Sequence, residues 1–284
     1  MSRKDNEEKP SFRIVVHSFF VVPFLIAVFC VLLFAAVNLL TREQHSVYDF
    51  LDDIKTGGLT RRWQGAFELS KILANPASVP KEERFSSELV SAFEHAQYDD
   101  GRIRQYLALA MGRTRDPLFV KPLIDGLKNE KDENLAALIY ALGMLGQKEA
   151  AATMYPYLEH PRARIRSIAV VALGNLAAPA TIPVLRKVLN DPEPNVQWGA
   201  AVSLARMNNA DGKNILLKMM DRGYLSGFPE VDAGEQNSLV LTAVEAAGGL
   251  DDNDLNNRLD ELAQSDSNMT VRSAALRIRH DASH

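Results

Sequence analysis

The chain has 284 residues and almost no cysteine: Cys30 is the only one. That excludes an internal disulfide and a cysteine-based zinc site. Aromatic residues make up 7% of the chain, with Trp63 and Trp198 the only tryptophans. Basic charge is not in excess either, since 32 Lys and Arg face 36 Asp and Glu. A general nucleic-acid binder would show a basic stripe, so no nucleic-acid partner is expected. No P-loop, nucleophile elbow or dinucleotide fingerprint occurs. The six histidines form no i, i+4 pair, and none precedes a glutamate. No catalytic residue, metal site or cofactor is therefore expected.

What is present is a period. Gly112, Gly143, Gly174 and Ala205 follow one another at steps of 31 residues, and Leu127, Leu158 and Leu189 keep the same step. A fixed period of this size marks stacked supersecondary units. A single helix pair cannot bury its own apolar face, so neighbours must stack. Asp116-Pro117, His160-Pro161 and Asp191-Pro192 punctuate the helix entries.

Three second helices open with Ile103-Arg104, Ile165-Arg166 and Val271-Arg272. Three second helices carry Ala110-Met111-Gly112, Ala141-Leu142-Gly143 and Ala172-Leu173-Gly174 further along. The chain thereby resembles the short HEAT-like repeats named after phycobilisome lyases, over roughly residues 47–280. The resemblance implies an all-α fold, an α-solenoid of about seven helix pairs. One fold hosts many activities, so it says less about function. The iron-binding HEAT-like hydroxylases use repeated His-Glu pairs, which this chain lacks.

Residues 1–13 are polar and mixed in charge and read as a cytoplasmic disordered tail. Residues 14–40 then run 27 positions without a charge. A run of that length predicts one transmembrane helix. Arg3, Lys4, Lys9 and Arg13 precede it, and only Arg42 and Lys55 follow within a comparable window. The positive-inside rule then places the repeat domain, residues 41–284, outside a bacterial inner membrane, in the periplasm. Within that domain residues 221–235, DRGYLSGFPEVDAGE, break the period and read as an inserted loop.

On each second helix the Ile or Val before the arginine is taken as position zero. Positions 0, +4, +7, +8 and +11 then form one apolar stripe toward the first helix. Positions +2, +5 and +6 lie behind it, on the side that lines the concave surface of stacked HEAT-like arrays. They hold Trp63, Phe67, Tyr140 and Trp198. With Tyr224, Leu225 and Phe228 of the insertion, these are the expected partner-binding residues. Lateral packing between adjacent second helices is the competing role for this side. The arginine column (Arg62, Arg104, Arg166, Arg272) is read as a ladder between repeats rather than a row of anion sites.

The expected function is non-enzymatic: a membrane-anchored scaffold binding a partner protein, such as a subunit of a transporter complex. The alternative implied by the resemblance is a bilin lyase-like enzyme or a small-molecule-binding HEAT protein.

Overall fold

A computed structural model describes residues 20–41, 46–128 and 130–281, and the side chains of the first helix as far as Val37. Two compact units divide at residue 46. In the first, helix α1 (Val22–Thr41) carries only apolar and uncharged residues. Its Phe24, Leu25, Phe29, Leu32 and Phe34 are exposed. No helix among the described residues is long and apolar enough to cross a membrane. The expected span over 14–40 is therefore not found. Residues 14–19, where the span was expected to begin, lie outside the described residues.

The second unit is an all-α solenoid of HEAT-like repeats, with no strand among the described residues. Repeat one pairs α2 (Val47–Thr56) with α3 (Leu59–Ile72), and repeat two pairs α4 (Glu83–His95) with α5 (Gly101–Thr114). Repeat three pairs α6 (Val120–Leu127) with α7 (Asp132–Leu145). In repeat four the first helix is broken: α8 (Ala151–Met154) lies between two 3₁₀ turns because Pro156 lacks an N–H to continue it. Its partner is α9 (Ala163–Leu176). Repeat five pairs α10 (Ile182–Val188) with α11 (Pro194–Arg206). Repeat six pairs α12 (Lys213–Met219) with α14 (Ala233–Ala247), and the short α13 (Arg222–Leu225) lies between them. The last pair is α15 (Asn253–Ser265) and α16 (Met269–Asp281).

The period of 31 has two structural causes. The first is close approach. A Cβ built on Gly112 would lie 2.8 Å from the Cα of Ala141, and one on Gly143 would lie 2.7 Å from the Cα of Ala172. Only hydrogen fits where one second helix rests on the next. The second cause was not legible in the sequence. Arg115 (φ 57°), Gly146 (φ 72°), Ala177 (φ 45°) and Asn208 (φ 55°) are all left-handed and again 31 apart. Three of them directly follow their second helix, Asn208 comes one residue after the cap Met207, and only one of the four is a glycine. Ala177→Gly should therefore stabilise the chain by about 0.5–1 kcal/mol, since the cost of a Cβ in this region exceeds the entropy glycine adds to the unfolded chain. A urea midpoint that falls instead would show that Ala177 sits there without strain.

Apolar side chains pack in two clusters. One runs from Leu51 to Leu204 and the other from Trp198 to Ala275. They meet on α11, where the insertion interrupts the regular stacking of second helices.

The open face of the second helices

Each second helix inside the stack has three neighbours, and its side chains can be sorted by them. Position +5 is fully buried in all of the first five repeats (Ala66, Ala108, Ile139, Val170, Ala201). Position +9 is the glycine column on the adjoining helix. Position +2 turns the same way: Gln105 donates to Asn134 Oδ1 of the next second helix at 3.0 Å. What remains open are positions −1, +3, +6 and +10, which cluster on one side at 100° per residue.

The tryptophans follow the +2 rule. Trp198 is only 7% exposed, and Phe228 of the insertion packs edge-on against it with ring centroids 5.3 Å apart. Tyr224 stacks edge-on against Phe228 in turn, 5.1 Å away, and Leu225 is fully buried. The insertion thus closes the gap where α14 would otherwise adjoin α11. Leu225 faces inward, and Tyr224 and Phe228 are half-buried against the array. Trp63 is half-buried, with the Arg102 guanidinium 4.9 Å above its ring. Of the residues expected to contact a partner, Phe67 and Tyr140 lie on the open face, and Tyr140 is 41% exposed.

The reading around the helix is therefore shifted by roughly a fifth of a turn, and the shift changes the chemistry. The floor of the open face is Phe67, Tyr106, Leu109, Tyr140, Ile168 and Val171. Phe67 and Tyr106 meet edge-on at 5.2 Å, and the Lys71 ammonium lies 5.1 Å from the Phe67 ring. The rims are basic. Positions −1 and +10 of repeats one to five hold Lys71, Arg102, Arg113, Arg164 and Arg206, against one acid, Glu133. Acids elsewhere conceal this excess in a chain of net charge −4, and positions −1 and +10 fall outside the stripe of +2, +5 and +6. Lys71 pairs with Glu68, Arg102 pairs with Asp100, and Arg113 donates to the Ser70 carbonyl. Arg164 and Arg206 are exposed and form no ion pair among the described residues.

The arginine column behaves as a ladder. Each member donates both to a carbonyl at the turn of its own repeat and, in three cases, to a carboxylate of the next. Arg62 bonds the Ile54 carbonyl at 2.9 Å and pairs with Asp99. Arg104 bonds the Phe93 carbonyl at 2.6 Å and pairs with Glu130. Arg166 bonds the His160 carbonyl at 2.9 Å and grips Asp191 at 2.7 and 2.8 Å. Arg272 bonds the Asp266 carbonyl. In repeat six the insertion supplies the missing cation, because Arg222 grips Asp266 at 2.7 and 2.8 Å.

Burial pushes the Asp191 and Asp266 carboxyls up. The arginines that grip them, with backbone N–H groups, outweigh it and hold both below the usual range. At the rim, hydrogen bonds from Arg102 hold Asp100 down to about 2. Groups depressed on folding add stability above their unfolded pKa, near 4, and lose it as pH falls through the folded value. The melting temperature should therefore stay level from pH 7 to about 5 and fall steeply between about 4 and 2. A melt followed by circular dichroism that is unchanged at pH 2 would mean the ladder adds nothing.

A cleft of about 460 Å³ is lined by Phe93, His95, Tyr98, Arg104, Asp125 and Gly126, at the turns within repeats two and three. No group of three or more His, Cys, Asp or Glu among the described residues could hold a metal ion. The open face sets apolar ring surface beside cationic rims.

Comparison with known proteins bears on the fold more than on the chemistry. Residues 152–224 match the HEAT repeats family. A bilin biosynthesis protein PecE from Mastigocladus laminosus is 27% identical over 173 residues, which cover 61% of this chain and 61% of that protein. The match thus spans about three-fifths of the relative's length. Among solved structures, the complex of CpcE and CpcF of phycocyanin lyase from Nostoc sp. PCC7120 gives a TM-score of 0.56 at 19% identity. It covers 85% of this chain and 96% of that one. YibA of Escherichia coli gives a TM-score of 0.51 at 17% identity, over 87% of this chain and 85% of its own. Both likenesses concern the fold alone.

Proposed function

We propose that the chain is a lyase-like HEAT-repeat subunit that holds a linear tetrapyrrole, and the protein receiving it, on the open face of its second helices. The observation that carries this is the pairing of an aromatic floor with cationic rims. Phe67, Tyr106 and Tyr140 offer ring surface to a flat conjugated skeleton. Lys71, Arg102 and Arg113 lie where carboxylates at its edge can be met. The role of the chain is to bind, orient and exclude water. The likeness to PecE favours this ligand over others, and the CpcE–CpcF complex offers a precedent for a second protein subunit.

Titration of the purified chain with biliverdin tests it. Binding should perturb the absorption spectrum of the pigment, and Tyr106→Ala with Tyr140→Ala should weaken it about tenfold, equivalent to 1.4 kcal/mol. An unperturbed spectrum, or one the double variant does not change, would remove the tetrapyrrole from the proposal.

A second reading keeps the protein partner and changes the setting. The uncharged run over 14–40 and the exposed apolar side chains of α1 need a cover, and a lipid bilayer supplies one. The chain is then a membrane-anchored scaffold for a complex such as a transporter, on the periplasmic side of a bacterial inner membrane. Extraction of native membranes at alkaline pH separates the two settings: an anchored chain stays in the pellet, and a peripheral one is released.

A further inference from the structure

The rims of the open face run as two rows across the second helices, and their spacing restricts what fits between them. Positions −1 and +10 are eleven residues apart, about 16 Å along the helix axis at 1.5 Å per residue. An α-helix with its side chains is about 10–12 Å across. Adjacent second helices pack about 8–10 Å apart, so five of them extend the face over roughly 32–40 Å. The floor between the rows is aromatic and aliphatic: Tyr106, Leu109, Tyr140, Ile168 and Val171. The upper row carries Arg102 and Arg164, and the lower row Lys71, Arg113 and Arg206. Glu133 is the one acid in the rows, and Glu68 and Asp100 beside them pair with Lys71 and Arg102.

We infer that the open face of repeats one to five takes one amphipathic helix of a partner protein, apolar toward the floor and acidic along both flanks. The occupant follows from charge and size together. A basic helix would meet Arg113, Arg164 and Arg206, none of which has an ion-pair partner among the described residues. An apolar helix without acidic flanks would leave Arg164 and Arg206 facing no counter-charge, since neither has one among the described residues. A helix of about 25 residues matches the length of the floor. Long-range attraction between the rims and acidic flanks also favours fast association at low salt. The inference rests on the face assigned above but not on the tetrapyrrole.

The test uses fluorescence anisotropy with the full chain and two labelled synthetic helices of 25 residues. Both have the same Leu/Ala face; one has Glu along its flanks and the other Lys. The Glu helix should bind at least about thirtyfold tighter than the Lys helix in 0.1 M salt, and its affinity should fall as salt rises. Arg164→Glu with Arg206→Glu should weaken the Glu helix at least about tenfold and strengthen the Lys helix. Both positions are exposed and outside the ladder, and unchanged circular dichroism will verify that the variant is folded. Equal binding of the two helices, or no response to the double reversal, overturns the inference. Failure with biliverdin beside preferential binding of the Glu helix removes the tetrapyrrole and leaves this partner. The opposite pair of results removes the partner and leaves the pigment.

Discussion

Arg104→Ala should destabilise the array by about 3–5 kcal/mol, the range for breaking a buried ion pair by removal of one partner. The Arg104 side chain is 4% exposed and that of Glu130 is 6%. The guanidinium also donates to the Phe93 carbonyl and lies 4.1 Å from the Phe93 ring. Truncation leaves a carboxylate in a nearly dry site, held only by Asn134 Nδ2 at 2.9 Å and the Lys131 N–H at 3.2 Å. It also orphans a carbonyl at the end of α4. A domain of this kind has about 5–15 kcal/mol in total, so the loss is a large share. The cost belongs to the unpaired charge and not to the worth of the pair. Repeat three has Leu135 at the equivalent position, buried with no cation at all. Arg104→Leu combined with Glu130→Met should accordingly recover most of the loss. Urea unfolding of the single and double variants decides it. A double variant no better than Arg104→Ala would assign the loss to packing against Phe93.

Gly143→Val is expected to cost about 3 kcal/mol or more, by overpacking where no side chain can move aside. A Cβ at Gly143 meets the Cα of Ala172 at 2.7 Å, its Cβ at 2.8 Å and its carbonyl oxygen at 3.3 Å. All three belong to the adjacent second helix, two of them backbone atoms, so α7 and α9 would have to part. Separating them opens the core on both sides of the joint. Gly58→Ala is the control, since nothing lies within 4 Å of its added methyl and its backbone is ordinary extended chain. Thermal melts should show a large drop for the first and little change for the second. Comparable melts would mean that neighbouring repeats slide past one another freely.

These two residues were legible before the structure because a repeat writes its interface into its period. Gly143 and Arg104 occur in columns, and a column is visible in one sequence. The open face was only half legible. Phe67 and Tyr140 belong to it, but the stripe was centred on contact with the first helix alone. Lateral neighbours take +2, +5 and +9, so Trp63 and Trp198 turn toward the joints between helices. The arginines of the rims sit in positions −1 and +10, and their sum is concealed by acids elsewhere in the chain. The insertion was legible as a break but not as a repair. The pairing of Arg222 with Asp266 joins residues 44 apart, and no local pattern announces it. The left-handed column was hidden for the opposite reason: Arg115 and Ala177 are not residues that signal such a turn.

The division of the core at α11 has a consequence for how the chain comes apart. In a linear stack each repeat owes its stability to itself and its immediate neighbours. Leu204 belongs to the first cluster and Trp198 to the second, so one helix carries the joint between them. Fraying from the C-terminal end can therefore run through repeats seven and six and halt at α11. Repeats one to five remain folded beneath it, and with them the whole of the open face. Loss of repeats six and seven would thus leave the open face standing on a cluster of its own.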